Sequence, residues 1–216
     1  MRVYGSFGPN PRALRMFLAE KGITIPTEEV DLIGGENRRG PYTGRNPGGQ
    51  LPALELDDGT MLAETVAIFE YLEELHPAPP LIGATAIERA ETRMWQRRIE
   101  LRITENIYNG FRFAEGLGLF TDRMRCLPQA ADGLKQTAQD NLRWLDELID
   151  GGPSVVSDRF TIADIILFCA LDFGRSVGQP LPDECTKITN WFAAVSSRPS
   201  ADASLHASSA ATGMRG

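Results

Sequence analysis

The sequence predicts an α/β domain followed by an all-α domain. Three observations carry that expectation. First, Leu51 to Leu56 alternates apolar with other residues, Asp58-Gly59 is a strong two-residue turn, and Met61-Leu62 begins a return strand, so this stretch is a hairpin. Second, the period then changes. Val66, Ile68, Phe69, Tyr71, Leu72 and Leu75 recur at helical and not at strand spacing. Third, residues 85–115 contain no proline and only one glycine, Gly110, which suits one long helix.

The remaining elements follow in order. Arg2 to Phe7 reads as a first strand, and Gly8-Pro9-Asn10-Pro11 as a turn. The next helix puts Leu14, Phe17 and Leu18 on one face. It ends at Lys21-Gly22, glycine being the usual residue just past a helix end. Thr24 to Asp31 reads as the second strand. Residues 33–49, rich in Gly, Arg, Asn and Pro, read as a loop with at most a short helix. Pro52 cannot donate to a ladder, so it belongs at the start or edge of its strand. A strand that opens this way leaves the Leu51 backbone free to bond something other than protein. Strand, helix, strand, then hairpin and helix is the order of a thioredoxin-like domain, expected over residues 1–78.

Ala78 to Gly83 is a compact linker, and residues 84–216 form the helical domain. Beyond the long helix, Leu134, Ala138, Leu142, Leu145 and Ile149 make one stripe, and Gly151-Gly152-Pro153 ends it. Thr161-Ile162-Ala163-Asp164 is an N-cap signature before an apolar run to about Phe173. That run is apolar nearly all round, so its helix is expected at the centre of its domain, with Asp164 bonding backbone N–H groups and taking no part in chemistry. Trp191 and Phe192 mark another helix, which stops before Arg198-Pro199. The tail from Ala201 is rich in Ala and Ser, and composition alone leaves its order open.

The chain carries 29 acidic and 22 basic residues for a net charge of −7, which argues against a nucleic-acid partner. No apolar run approaches the length of a membrane span. Met1-Arg2-Val3-Tyr4-Gly5 leads straight into a strand, without the apolar region of a signal peptide. Cys126, Cys169 and Cys185 lie far apart and form no metal or redox motif, and Cys169 is expected in the core. These features predict a cytoplasmic protein with reduced thiols and no metal.

Gln50-Leu51-Pro52-Ala53-Leu54 and Ala63-Glu64-Thr65 resemble the cytosolic glutathione transferases, which place a hydrophobic residue before a cis-proline and then a Glu-Ser or Glu-Thr pair. Asp158-Arg159-Phe160-Thr161-Ile162-Ala163-Asp164-Ile165 resembles their helical domain, so the likeness runs over both halves. The resemblance implies the glutathione transferase fold, glutathione as co-substrate, and a homodimer. It implies that Leu51 pairs its backbone with the cysteinyl unit of glutathione, with Gln50 and Pro52 beside it. It implies further that Thr65, opening a helix, receives the γ-glutamyl carboxylate, and Glu64 the ammonium. Asn37 would contact the glycyl end. Arg12, Arg15, Arg38 and Arg39 are candidates for the positive charge that an anionic tripeptide needs.

In this family the first βα turn handles the sulfur, and Tyr4, Ser6, Gly8 and Asn10 are the candidates here. Gly8-Pro9 stands where many relatives have Cys-Pro or Ser-Pro. Asn10 is favoured, as in Nu-like transferases and some β-etherases, with Ser6 and Tyr4 as alternatives. Asn10-Pro11 also reads as an N-cap and first helical residue. Phe7, Tyr108, Phe111 and Phe113 are expected to line an apolar second-substrate pocket between the domains. The implied activity is detoxifying conjugation of a glutathione thiolate to a hydrophobic electrophile. Glutathione-dependent ether or disulfide cleavage, or ligand binding without catalysis, are the alternatives.

Overall fold

The structure is a computed structural model describing residues 1–156 and 158–216. Its N-terminal half is a four-stranded sheet flanked by helices. Strand β1 spans Arg2–Gly5, β2 Thr27–Glu29, β3 Ala53–Glu55 and β4 Met61–Ala63, in spatial order β2-β1-β3-β4. β1 runs parallel to β2, while β3 is antiparallel to both β1 and β4, with Tyr4 opposite Ala53 and Leu54 opposite Leu62. β2 is shorter than the sequence suggests. Pro26 accepts from the Val3 N–H through its carbonyl but has no N–H to donate, and the strand starts after it. Gly59, at φ 85°, makes the hairpin turn as expected.

Helix α1 (Pro9–Lys21) follows β1, packs against the helices Thr65–Leu75 and Ile162–Ser176, and ends on left-handed Gly22. Its start differs from expectation. The N-cap is Gly8, at φ 135°, so Pro9 is the first helical residue and Asn10 the second. Only glycine adopts that φ without strain, which sets the boundary two residues before Asn10. The following loop holds one 3-10 turn, Glu36–Arg38, and a short α2 (Gly40–Thr43). α3 (Thr65–Leu75) follows the hairpin. Ile68, Phe69 and Leu72 face inward, with Phe69 stacked on Phe17 of α1 at 4.5 Å.

The C-terminal half is helical. The predicted long helix is α4 (Ala86–Ile99) and α5 (Glu105–Arg112), joined by a π-helical turn, Glu100–Thr104. α6 (Leu117–Phe120), α7 (Ala131–Leu148), α8 (Ile162–Ser176) and α9 (Thr186–Ser196) complete the bundle. α8 is central, as its all-round apolar character predicts, and every residue from Ile162 to Gly174 is buried. Thr161 caps it in a capping box with Asp164. Asp164 also accepts from the Val155 N–H at 2.7 Å and the Trp191 indole at 2.9 Å, so its role is structural, as expected. Burial pushes its carboxyl up to about 6, opposed by these donors.

α1 packs along α8, which fixes the two halves against each other. Arg12 lies in that seam. It donates to Asp172 at 2.6 Å, to the Ala201 carbonyl at 3.1 Å and to Ser204 at 3.3 Å. Arg15 donates to the carbonyls of Ser204 and Ser6. The tail is therefore held: α10 (Pro199–Ala203) lies on α1, and Arg215 pairs with Asp172 beyond α11 (Ser208–Thr212).

Candidate functional site

Two cavities meet at the seam between the halves, and both are lined by Asn10 and Tyr108. The first is an apolar cavity of about 240 Å³, bounded by Phe7, Leu51, Phe111, Phe120, Phe173 and Met214 among others. The second is a polar cleft of about 330 Å³, with Glu64 and Thr65 on one wall and Gln96, Arg97, Glu100, Thr104 and Glu105 on the other. α1 presents its N-terminus at their junction.

The chemistry of that N-terminus follows from its sequence. Pro9 and Pro11 carry no N–H, and the Arg12 N–H is bonded to the Gly8 carbonyl. The Asn10 N–H is left as the first-turn backbone donor with no protein partner among the described residues. The Asn10 side chain caps nothing, and its amide has no protein partner either. Amide donors at the positive end of a helix favour an anion between the two cavities.

At the start of α3 the hairpin delivers a second such end. Glu64 is the N-cap and holds φ 69°, the only non-glycine residue at positive φ among the described residues. A glutamate held there is strained by about 1–3 kcal/mol, which marks the turn as a place where geometry takes precedence over stability. The N–H groups of Thr65, Val66 and Ala67 have no acceptor among the described residues; the first intrahelical bond runs from Ile68 to the Glu64 carbonyl. Opposite, burial raises the Glu100 carboxyl, with Arg97 at 3.3 Å opposing the shift and Gln96 also bonded to it. Its placement by the π-helical turn had no signal in the sequence.

Leu51 sits at the mouth of the apolar cavity, and its peptide bond to Pro52 is cis. Its N–H and C=O bond no other group among the described residues, as the leading proline predicts. The neighbouring Gln50 carbonyl is occupied, accepting from Tyr42 at 2.8 Å and Asn46 at 2.9 Å. Asn37 is buried beside this segment. Its Nδ2 donates to the Gly49 carbonyl at 2.7 Å, and its Oδ1 is enclosed without a partner among the described residues.

Several sequence candidates lie elsewhere. Tyr4 is interior: its hydroxyl donates to Glu55 at 2.7 Å and accepts from Arg45 at 2.6 Å. Ser6 is buried and donates to the Val30 carbonyl at 2.6 Å. Arg12 and Arg15 are bound to the C-terminal half, because α1 turns that face to α8 and the tail. Arg39 is spent on the Gly34 carbonyl, whereas Arg38 does line the apolar cavity. Phe7, Tyr108 and Phe111 line that cavity; Phe113 does not, since it is buried past the last turn of α5. Burial holds the Tyr108 phenol well above its ordinary pKa, so it remains a neutral donor at the junction. Sequence reasoning missed Phe120, Phe173, Met214, Arg112 and Arg123, whose convergence depends on the packing of four distant segments. Among the described residues no cluster of His, Cys, Asp or Glu could hold a metal, and no helix is long and apolar enough to cross a membrane.

Comparison with known proteins agrees with this architecture. Residues 7–75 match the family model of the glutathione S-transferase N-terminal domain, and residues 129–199 that of its C-terminal domain. The chain is 32% identical to glutathione S-transferase 2 of Saccharomyces cerevisiae, over 89% of this chain and 84% of that protein. The crystal structure of Gtt2 from Saccharomyces cerevisiae superimposes with a TM-score of 0.88 at 30% identity, covering 95% of this chain and 100% of that one. A glutathione S-transferase domain-containing protein from Marinobacter aquaeolei gives 0.86 at 35% identity, covering 93% and 99%.

Proposed function

The chain belongs to the glutathione S-transferase family, and we propose that it activates glutathione as a thiolate and transfers it to a hydrophobic electrophile. One observation carries the reading. The free Leu51 backbone, the open N-terminus of α3 and the unpartnered Asn10 surround two adjoining cavities, one polar and one apolar. Glutathione would lie from Asn37 and Arg38 at its glycyl end, across Leu51, to Thr65 and Glu64 at its γ-glutamyl end. Its sulfur would then stand at Asn10, facing the apolar cavity where the electrophile binds. Gln50 and Pro52 would shape that path without contributing charge.

The energetic task is modest. A thiol of pKa ~8.5 must fall about two units to be mostly ionised at neutral pH, roughly 2.7 kcal/mol. The Asn10 side-chain amide, its backbone N–H and the α1 terminus together supply charge-assisted bonds of that order.

Glu64→Ala and Thr65→Ala should each weaken glutathione binding about tenfold or more, the loss of one charge-assisted contact. Calorimetric titration reads this directly, and unchanged affinity in both variants would misplace the site. A glutathione column followed by a conjugation assay separates the enzyme from a carrier of the same fold. Retention without turnover on any electrophile would favour the carrier.

A two-fold dimer accompanies this reading. Ile87, Met94 and Leu101 stand seven residues apart along α4 and the π-helical turn, exposed by 66%, 42% and 59%. An apolar stripe of that regularity on a charged helix suits a self-complementary contact. The Ile87→Glu, Met94→Glu double variant should sediment as a monomer, where the wild type sediments as a dimer. A monomeric wild type would remove this part of the proposal.

A further inference from the structure

We propose that the electrophile taken by this protein carries an anionic group, a carboxylate or its equivalent, held by Arg112 and Arg123 against the Phe120 ring. The inference rests on the transferase reading and names the class of its second substrate. Its basis is the charge of the apolar cavity. Three arginines line it, Arg38, Arg112 and Arg123, and among the described residues no Asp or Glu does. This occurs in a chain where acidic residues outnumber basic ones 29 to 22. Among the described residues each guanidinium has only a neutral acceptor. Arg38 donates to the Gly48 carbonyl at 3.3 Å, Arg112 to the Asn109 amide oxygen at 3.0 Å, and Arg123 to the Ile33 carbonyl at 2.8 Å.

Arg38 belongs to the loop beside Asn37 and Gly49, next to the expected glycyl carboxylate, and that anion would occupy it. Arg112 and Arg123 come from the helical half and flank one ring: their guanidinium carbons lie 5.6 and 5.9 Å from the Phe120 centroid. Arg123 reaches across to the N-terminal half, and its Nη1 is enclosed with no partner among the described residues. An enclosed guanidinium nitrogen without an acceptor is unfavourable until one arrives. Burial lowers the Arg123 pKa, and the nearby Arg38 charge lowers it further. The carboxylate that opposes this, Asp31, accepts from the Gly34 N–H at 2.7 Å and forms no ion pair with Arg123 among the described residues. Two cations over an aromatic floor, lacking a counter-ion, fit a small amphipathic acid whose apolar part lies on Phe111 and Phe173.

The test compares 4-chloro-3-nitrobenzoate with its neutral carboxamide. In both, the glutathione sulfur lone pair forms the new carbon–sulfur bond at the carbon bearing chlorine, and chloride leaves with the bonding pair. The carboxylate takes no part in bond making. Each rate is referred to its uncatalysed rate, and each compound is also titrated calorimetrically into the protein without glutathione. The wild type should bind the acid about tenfold or more tightly than the amide, with the same preference in kcat/KM. Arg112→Met and Arg123→Met should each reduce acid binding far more than amide binding, and Arg123→Lys should restore part of it. Equal binding of acid and amide by the wild type, or equal loss of both in the methionine variants, would overturn the proposal. A protein that prefers the acid but neither binds nor uses glutathione would support the anion site and refute the transferase reading instead.

Discussion

Asn10→Ala is expected to lower kcat/KM for conjugation roughly 10–100-fold, the cost of one charge-assisted donor to a thiolate. The thiol of bound glutathione, followed by its ultraviolet absorbance against pH, should titrate about one to two units higher than in the wild type. Affinity for glutathione should change less, because the contacts proposed at the Leu51 backbone and at the start of α3 are untouched. The melting temperature should hold. Asn10 is the second residue of α1 and caps nothing, so its removal deprives the helix of no hydrogen bond. Asn10→Asp sharpens the distinction. A carboxylate in the first turn favours the helix, but when ionised it donates no hydrogen bond from its side chain and repels a thiolate. That variant should be as stable as the wild type and less active than Asn10→Ala. Undiminished turnover in both variants, with an unmoved thiol titration, would remove Asn10 from the chemistry. Tyr4 and Ser6 would then be poor successors, since both hydroxyls are engaged inside the fold; Tyr108, at the junction of the cavities, would be tested next.

The largest effect on stability is expected at Asp164. Its carboxylate accepts from the N–H groups of Thr161 and Val155, from the Thr161 hydroxyl and from the Trp191 indole, all buried. Asp164→Ala strands these donors at once and should destabilise by about 3–5 kcal/mol, lowering the melting temperature by ~10 °C. The pH dependence has a definite sign. The carboxyl is raised from 3.8 to about 6 in the folded protein, so between those values the folded state binds more protons than the unfolded state. The contribution of this group is therefore full below about pH 4 and is lost as the pH rises through about 6. The wild type should gain stability relative to Asp164→Asn, whose side chain does not titrate, as the pH falls from 7 to 4. Denaturant titrations of both proteins at several pH values read this, and a constant difference would contradict the assigned titration.

Periodicity carried most of the fold. The hairpin turn, the glycine ending α1, the cap of α8 and its central position are all local signals, and the structure bears them out. Boundaries set by backbone geometry were less legible. Asn10-Pro11 reads as a cap pair only until the φ of Gly8 is known, and that angle is what starts α1 at Pro9. The turn at Glu64 and the cis bond after Leu51 were accessible through their motifs. The floor of the apolar cavity was not. Arg112 comes from α5, Phe120 and Arg123 from α6 and the turn after it, Phe173 from α8 and Met214 from the tail, and no local spacing announces that they meet. The arginines misled in the same way. Arg12 and Arg15 are near in sequence to Asn10, yet helical rotation turns them into the seam with α8, while Arg123 arrives from the other half of the chain.

Crystals of the wild-type protein soaked with glutathione would test the assignment of the cleft most directly. The cysteinyl unit should lie antiparallel to Leu51, bonded to its N–H and C=O, with the γ-glutamyl carboxylate on the N–H groups that open α3. The sulfur should then stand within hydrogen-bond reach of the Asn10 amide. Glutathione bound elsewhere, or in this cleft with its sulfur turned away from Asn10, would contradict it.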